Sequence, residues 1–250
     1  ISTIADLVSD HTIYFVDEDP PPDGSPDHWD EGRRSQIDAD VSERTPEWDL
    51  KVRLFGPVEV VDGSGGRVAF ERSKTTELVA WLVTHRDRST RSNARTALWE
   101  QDVRDATFAN VVSEARRALA RLVPPPEGEE WVGRTLNEQL PLHPRVVSDA
   151  DLLERALVAV RANPTASTVD ALRAAVESIA GLPFEGTSYL WPDAEGLTSH
   201  LVLLATSAAA ELAGHCLSSG DVGGVFEATG RGLRVLPGHE ELIALRMRAH

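Results

Sequence analysis

The stretch from Asp105 to Val123 leaves the least freedom to any fold this chain can adopt. Phe108, Val111, Val112, Ala115, Leu119 and Leu122 recur every three or four residues, close to the helical period. The positions between them are mostly polar or small, so a helix built here has one oily side and one wet side. Pro124-Pro125-Pro126 has no amide hydrogens and ends it. Such a rod must bury its apolar stripe, and the flanking sequence has to supply the surface it packs on.

Two shorter helices are predicted ahead of it. Ser73 reads as an N-cap, followed by Leu78, Trp81, Leu82 and His85 on one stripe. A second helix follows Ser89-Thr90, with Ala94, Ala97 and Leu98 inward. Upstream, Val52, Leu54, Val58 and Val60 alternate around Gly56-Pro57, which predicts strand, turn, strand. Asp62-Gly63-Ser64-Gly65-Gly66 reads as a hairpin turn, after which Arg67–Phe70 resumes the sheet. These glycines are not a phosphate loop, because no Lys-Ser or Lys-Thr follows them. After the prolines, WVGRTLNEQLPLHP (131–144) forms a last small hairpin. A sheet, three helices of which the last is longest, and a trailing β wing make a winged helix-turn-helix arrangement over residues 50–145.

Residues 146–250 read as all-helical. Ser148 to Asp151 is a capping box, and Leu152, Leu153, Ala156, Leu157 and Val160 follow until Asn163-Pro164. Ser167 to Asp170 reads as a second box, with Val169, Leu172, Val176 and Ile179 as its stripe and Gly181 as its C′ residue. A loop over Leu182–Asp193 carries Phe184, Tyr189 and Trp191. Helices are predicted over Leu197–Ser219 and Asp221–Leu236, with a third from His239. Tight glycine turns between helices of this length predict tetratricopeptide-like hairpins. The last helix meets no capping partner before His250, so the natural protein is expected to continue. Residues 1–49 form no domain of their own. Thr12–Val16 predicts one strand, and the acidic, Pro-rich run after it reads as a linker. The absence of Met at position 1 agrees with a chain that is part of a longer or processed protein.

Net charge is −15, but it is unevenly spread. Residues 1–50 hold 14 acids against three Arg, whereas residues 51–145 hold 15 Lys and Arg against 13 acids. An acidic chain is a poor nucleic-acid binder on charge alone, so any such role falls to the middle third. One cysteine, Cys216, excludes an intrachain disulfide and a thiolate metal cluster. No run of about 18 uncharged apolar residues exists, so no membrane span is expected.

Enzyme motifs fail in turn. His239-Glu240-Glu241 lacks the second histidine of a zinc helix, and no nucleophile elbow, dinucleotide or Walker sequence is present. His215 beside Cys216 reads as packing, and Asp149 and Asp151 as caps. No catalysis, cofactor or metal is expected. In the long loop, Tyr189 and Trp191 form a candidate partner contact or, alternatively, an aromatic anchor for the loop.

Several stretches together carry a resemblance: VRLFGPVEV (52–60), SKTTELVAWLVTHR (73–86), TALWEQDV (96–103) and ARRAL (115–119). GLPFEGTSYLWPDAEG (181–196), LLATSAAAELA (203–213) and VLPGHEELIALRMRAH (235–250) extend it. The chain resembles the bacterial transcriptional activator family of the Streptomyces antibiotic regulatory protein type. The resemblance implies an α+β chain, with an OmpR-like winged helix-turn-helix domain followed by an all-α, tetratricopeptide-like activator domain. It implies a transcriptional regulator, most like the subgroup in which this module is the cytoplasmic C-terminal part of a larger, sometimes membrane-tethered, protein.

The resemblance also implies that the third helix lies in the major groove of double-stranded DNA. Members of the family commonly show an Arg, an Asn or Thr, a Gln, a Tyr and a further Arg on its outer face. This chain departs from that pattern, with Asp105, Ala106, Thr107, Ala109, Asn110, Val111, Ser113 and Glu114. Thr107, Asn110 and Ser113 are the candidate base readers, whereas Asp105 and Glu114 would oppose phosphate. Arg91, Arg95, Arg116, Arg117, Arg121 and Arg134 are the candidate backbone contacts. The opposing expectation is that the arginines of this domain pair with Glu114, Glu100, Asp87 and Asp102. A domain this weakly basic should bind weakly alone, and a homodimer would add contacts. The helical domain is expected to bind a protein partner. Two other readings stand beside this one: an adaptor whose winged helix docks protein instead of DNA, and a regulator whose acidic 17–49 segment covers Arg116 and Arg117 until released.

Overall fold

The computed structural model describes residues 48–250, and the strand expected at Thr12–Val16 and the acidic run up to residue 47 lie outside the described residues. The fold is α+β. A small sheet and three helices with a wing come first, and an all-helical, hairpin-repeat part follows. The described residues belong to one compact unit, so the division expected at residues 145 and 146 falls within it.

Strand β1 (Leu50–Arg53) pairs antiparallel with β2 (Glu59–Asp62), with Val52 opposite Val60. Arg67–Phe70 contributes only a single bridge, Arg67 to Val61. The third strand is β3 (Val146–Ser148), parallel to β1, at the point where the sequence predicts the start of the helical domain. Two β-branched valines favour an extended backbone there, and Ser148 then caps the helix that follows.

Helices α1 (Ser73–Thr84), α2 (Arg91–Leu98) and α3 (Asp105–Leu122) pack around Leu78, Trp81, Leu82, Phe108, Val112 and Leu119. Ser73 is the first helical residue of α1 rather than its cap. The cap position is Arg72, whose side chain makes no capping bond. The missing acceptor comes from α3. The Glu114 carboxylate accepts from the Glu71 amide at 2.6 Å, the Arg72 amide at 3.1 Å and the Arg72 guanidinium at 2.6 Å. Burial alone would push this carboxyl up, but hydrogen bonds from Thr75, Arg72 and the two amides outweigh it and hold it below the usual range. Glu114 is 3% exposed, so it points inward and meets no phosphate, contrary to the sequence expectation. Val111, which also falls at a position matching the family's outer face, is buried as its place in the apolar stripe predicts.

The wing is a bridged hairpin. Val132 pairs with Leu142, Gly133 donates to the Pro141 carbonyl at 2.8 Å, and His143 donates to the Trp131 carbonyl at 2.9 Å. Its second arm also meets the start of α2, where Arg91 donates to the Glu138 carbonyl and Leu140 to the Ser89 carbonyl, both at 2.7 Å. The Trp131 indole donates to the Val123 carbonyl at 2.7 Å and so fastens the wing to the end of α3.

Behind the sheet lie α4 (Asp149–Ala162), α5 (Ala166–Glu177), the short α6 (Trp191–Ala194), α7 (Leu197–Ser218), α8 (Val222–Val235) and α9 (Glu240–Arg248). The capping box at Ser148 and Asp151 forms as expected. The second box is made by Thr165 and Thr168, not by Ser167 and Asp170, so α5 starts earlier than its sequence suggests. The C-cap of α5 is Ser178, and Gly181 lies beyond it. Among the described residues α7 alone is long and apolar enough to cross a membrane, and half of its most apolar window is buried inside the protein. It packs on α4, α5, α8 and α9. Gly232 lets α8 approach closely, since a Cβ there would sit 2.5 Å from Leu242 and 2.8 Å from Ala209.

The two parts are sewn together. Asp149, 1% exposed, accepts from the Leu54 amide at 2.8 Å and the Phe55 amide at 3.2 Å. Residues 180–185 run against the same segment, where Gly56 donates to the Leu182 carbonyl and Phe184 to the Leu54 carbonyl, both at 2.9 Å. Burial pushes the Asp149 carboxyl up to about 6 despite those amide bonds.

Replacing Glu114 with Ala is expected to lower stability by about 1–3 kcal/mol, because it leaves two partly buried amides and the Arg72 guanidinium without their acceptor. A urea melt at neutral pH should show a lower midpoint with an unchanged slope. The Glu114 contribution is fully present above the ordinary carboxylate range and fades only as pH falls through its depressed value. Asp149 works in the opposite sense. Folded protein holds its proton more tightly than unfolded chain, so stability declines as pH rises from 3.8 to about 6. Urea melts across that window should fall more steeply for the wild type than for Asp149→Asn.

Candidate nucleic-acid interface

Helix α3 keeps its outer side in solvent. Asp105, Ala106, Thr107, Ala109, Asn110, Ser113, Arg117 and Arg121 are exposed, while Phe108, Val111, Val112, Ala115 and Leu119 are buried. The three candidate base readers Thr107, Asn110 and Ser113 therefore share an open face. The Arg117 guanidinium folds back along it, donating to the Ser113 carbonyl at 3.3 Å.

The arginines divide into two groups. Arg116 holds the wing: it donates to the Val132 and Gly133 carbonyls at 2.7 Å each and lies 3.3 Å from Glu130. Only 15% of its side chain is exposed, and burial lowers its pKa. Arg95 bonds Asp105 and the Val103 carbonyl, both at 2.5 Å, and so fixes the turn between α2 and α3. Arg134 pairs with Glu130 at 2.9 Å on the wing. Arg91, Arg117 and Arg121 pair with no carboxylate among the described residues. Neither does Arg104, the exposed cap residue of α3, which the sequence patterns above do not single out. Its position one residue ahead of an amphipathic stripe was the available signal.

Other basic residues of the domain are structural. Arg53 and Arg67 share Glu59, Arg72 holds Glu114, and Arg88 pairs with Glu195. Glu114 is thus a partner as expected, whereas Glu100, Asp87 and Asp102 take part in no ion pair among the described residues.

Trp191 faces inward and Tyr189 is half-buried beside it. Trp191 is 4% exposed and contacts Phe184, Tyr189 and His85, whose ring stacks on Trp81 at 4.6 Å. His85 also bonds Glu195 at 2.7 Å. This aromatic stack joins α1 to the 188–195 loop, and it places Trp191 in the interior, away from any surface offered to a partner. Beside it lies an open cleft of about 700 Å³ lined by Lys74, Glu77, Trp99, Leu190 and Glu195. Lys74 is held in place on its wall. Its ammonium donates to the Leu98 carbonyl at 2.5 Å, pairs with Glu77 at 2.7 Å and lies over the Trp99 ring. Among the described residues no three His, Cys, Asp or Glu side chains converge as a metal site.

No family model and no curated protein matches this chain. Among solved structures it is similar to Mycobacterium tuberculosis EmbR in complex with a low-affinity phosphopeptide. Identity is 19%, the TM-score is 0.48, and the match covers 80% of this chain and 64% of that one.

Arg116→Ala should loosen the wing without unfolding the protein. Hydrogen exchange is expected to speed up at the amides of Gly133 and His143, while the α3 amides stay protected.

Proposed function

We propose that this chain is a transcriptional-regulator module that binds double-stranded DNA through the outer face of α3, with backbone contacts at its two ends. The observation that carries this reading is the exposed, polar, carboxylate-poor face of α3. Glu114, the acid expected to spoil it, is buried under α1, and Asp105 is matched by Arg95. What remains outward is Thr107, Asn110 and Ser113, with Arg104 ahead of them and Arg117 and Arg121 after them on the same helix, and the half-buried Arg91 at the start of α2. Backbone contacts position such a helix, and base-edge contacts specify its site. The tetratricopeptide-like helices are proposed to bind a protein partner, as repeats of this kind present extended surfaces. The resemblance noted from sequence agrees with both roles, and neither involves catalysis or a cofactor.

A second reading has its own support. Arg95, Arg116 and Arg134 are engaged within the protein, which reduces the positive charge left for phosphate. On that reading the winged helix docks protein, and the chain is a signalling adaptor.

Binding to mixed-sequence duplex, followed by fluorescence anisotropy from low to moderate salt, separates the two. DNA binding predicts affinity that falls steeply with salt. Arg117→Ala combined with Arg121→Ala should weaken binding across all sequences and reduce the salt slope by about 1 for each phosphate that is no longer neutralised. No binding at low salt selects the adaptor.

A further inference from the structure

Resting on the proposed DNA reading, we infer that the face of α3 selects A·T base pairs, with Asn110 as the residue that determines this specificity. In a helix-turn-helix the N-terminal half of the recognition helix meets the base edges. Here that half exposes Asp105, Ala106, Thr107, Ala109, Asn110 and Ser113. An amide is the side chain that bonds both the N7 and the N6 amino group of adenine, whereas guanine is read by Arg or Lys. Asn110 is the one exposed amide of α3, and its side chain makes no hydrogen bond among the described residues. The methyl groups of Ala106, Thr107 and Ala109 flank it and suit the thymine C5-methyl, which only a T supplies in the major groove.

The guanine readers are in the wrong place. At 1.5 Å per residue, Arg117 lies about 10 Å beyond Asn110 along the axis, and Arg104 about 9 Å before it. Arg104 precedes the first turn and the Arg117 guanidinium is held on the Ser113 carbonyl, so neither cation is placed at Asn110 itself. Asp105 is the one group here able to prefer another base, by accepting from cytosine N4, and Arg95 already occupies one of its oxygens.

The test is selection by the full chain from a pool of duplexes with a randomised centre, at fixed salt, with sequencing of the bound fraction. The expected result is enrichment of A·T pairs at a defined position. Asn110→Ala should flatten that enrichment by on the order of tenfold, with helix content unchanged by circular dichroism. Arg117→Ala should weaken retention of every sequence while preserving the A·T preference. Retention with a G·C preference, with no preference, or with a preference that survives Asn110→Ala overturns this inference and leaves DNA binding standing. No retention of any duplex overturns both.

Discussion

The setting of α3 depends on one carboxylate. Helix α1 starts without a side-chain cap of its own, and the amides ahead of its first turn, partly buried, face α3. Glu114 answers them from the neighbouring helix, 43 residues away in sequence. The bond works in both directions: it satisfies donors that are expensive to bury, and it sets the rotation of α3 about its own axis. Rotate α3 away from this setting and Glu114 leaves its amides, while Phe108 and Val112 leave the core. The exposed stripe through Ala106, Asn110, Ser113 and Arg117 is therefore a product of what the opposite side must bury.

The same device recurs at Asp149, where a buried acid again serves backbone amides across elements. It stands at the head of α4 and grips the end of β1. Asp149 finds its strongest bonds in neutral amides, with Lys51 as only a secondary influence, so burial dominates and its pKa rises. Glu114 has a guanidinium as well as amides, and its pKa falls. Two acids of similar role thus differ in sign because desolvation prevails at Asp149, whereas at Glu114 the Thr75 hydroxyl and the Arg72 guanidinium, added to the amides, outweigh it.

Periodicity made much of this legible. The α3 stripe, the Pro124–Pro126 stop, the wing hairpin and the long helices all follow from spacing, because burial against a neighbour needs only an apolar face at the right period. Orientation at single positions was harder to read. Glu114 looked like a surface residue because sequence carries no record of the amides of Glu71 and Arg72 waiting beneath it. Arg116 and Arg117 are adjacent and chemically identical, yet one props the wing and the other lies open, a difference set by about 100° of helix rotation. Val146–Ser148 was too short to stand out as a strand, since its pairing partner lies almost a hundred residues upstream. The aromatic side chains of Tyr189 and Trp191 gave no hint of direction, and only their ring contacts, Trp191 edge-on to His85 and Tyr189 against Trp191 and Phe184, show which way they point.

Strand β3 runs into α4 with no intervening residue, and the 180–185 segment is hydrogen-bonded to the end of the strand beside it. There is no slack between the sheet under α1 and the first helix of the repeat stack. Such a joint is a weld rather than a tether: α4 cannot slide along β1 without breaking the Asp149 bonds to the Leu54 and Phe55 amides.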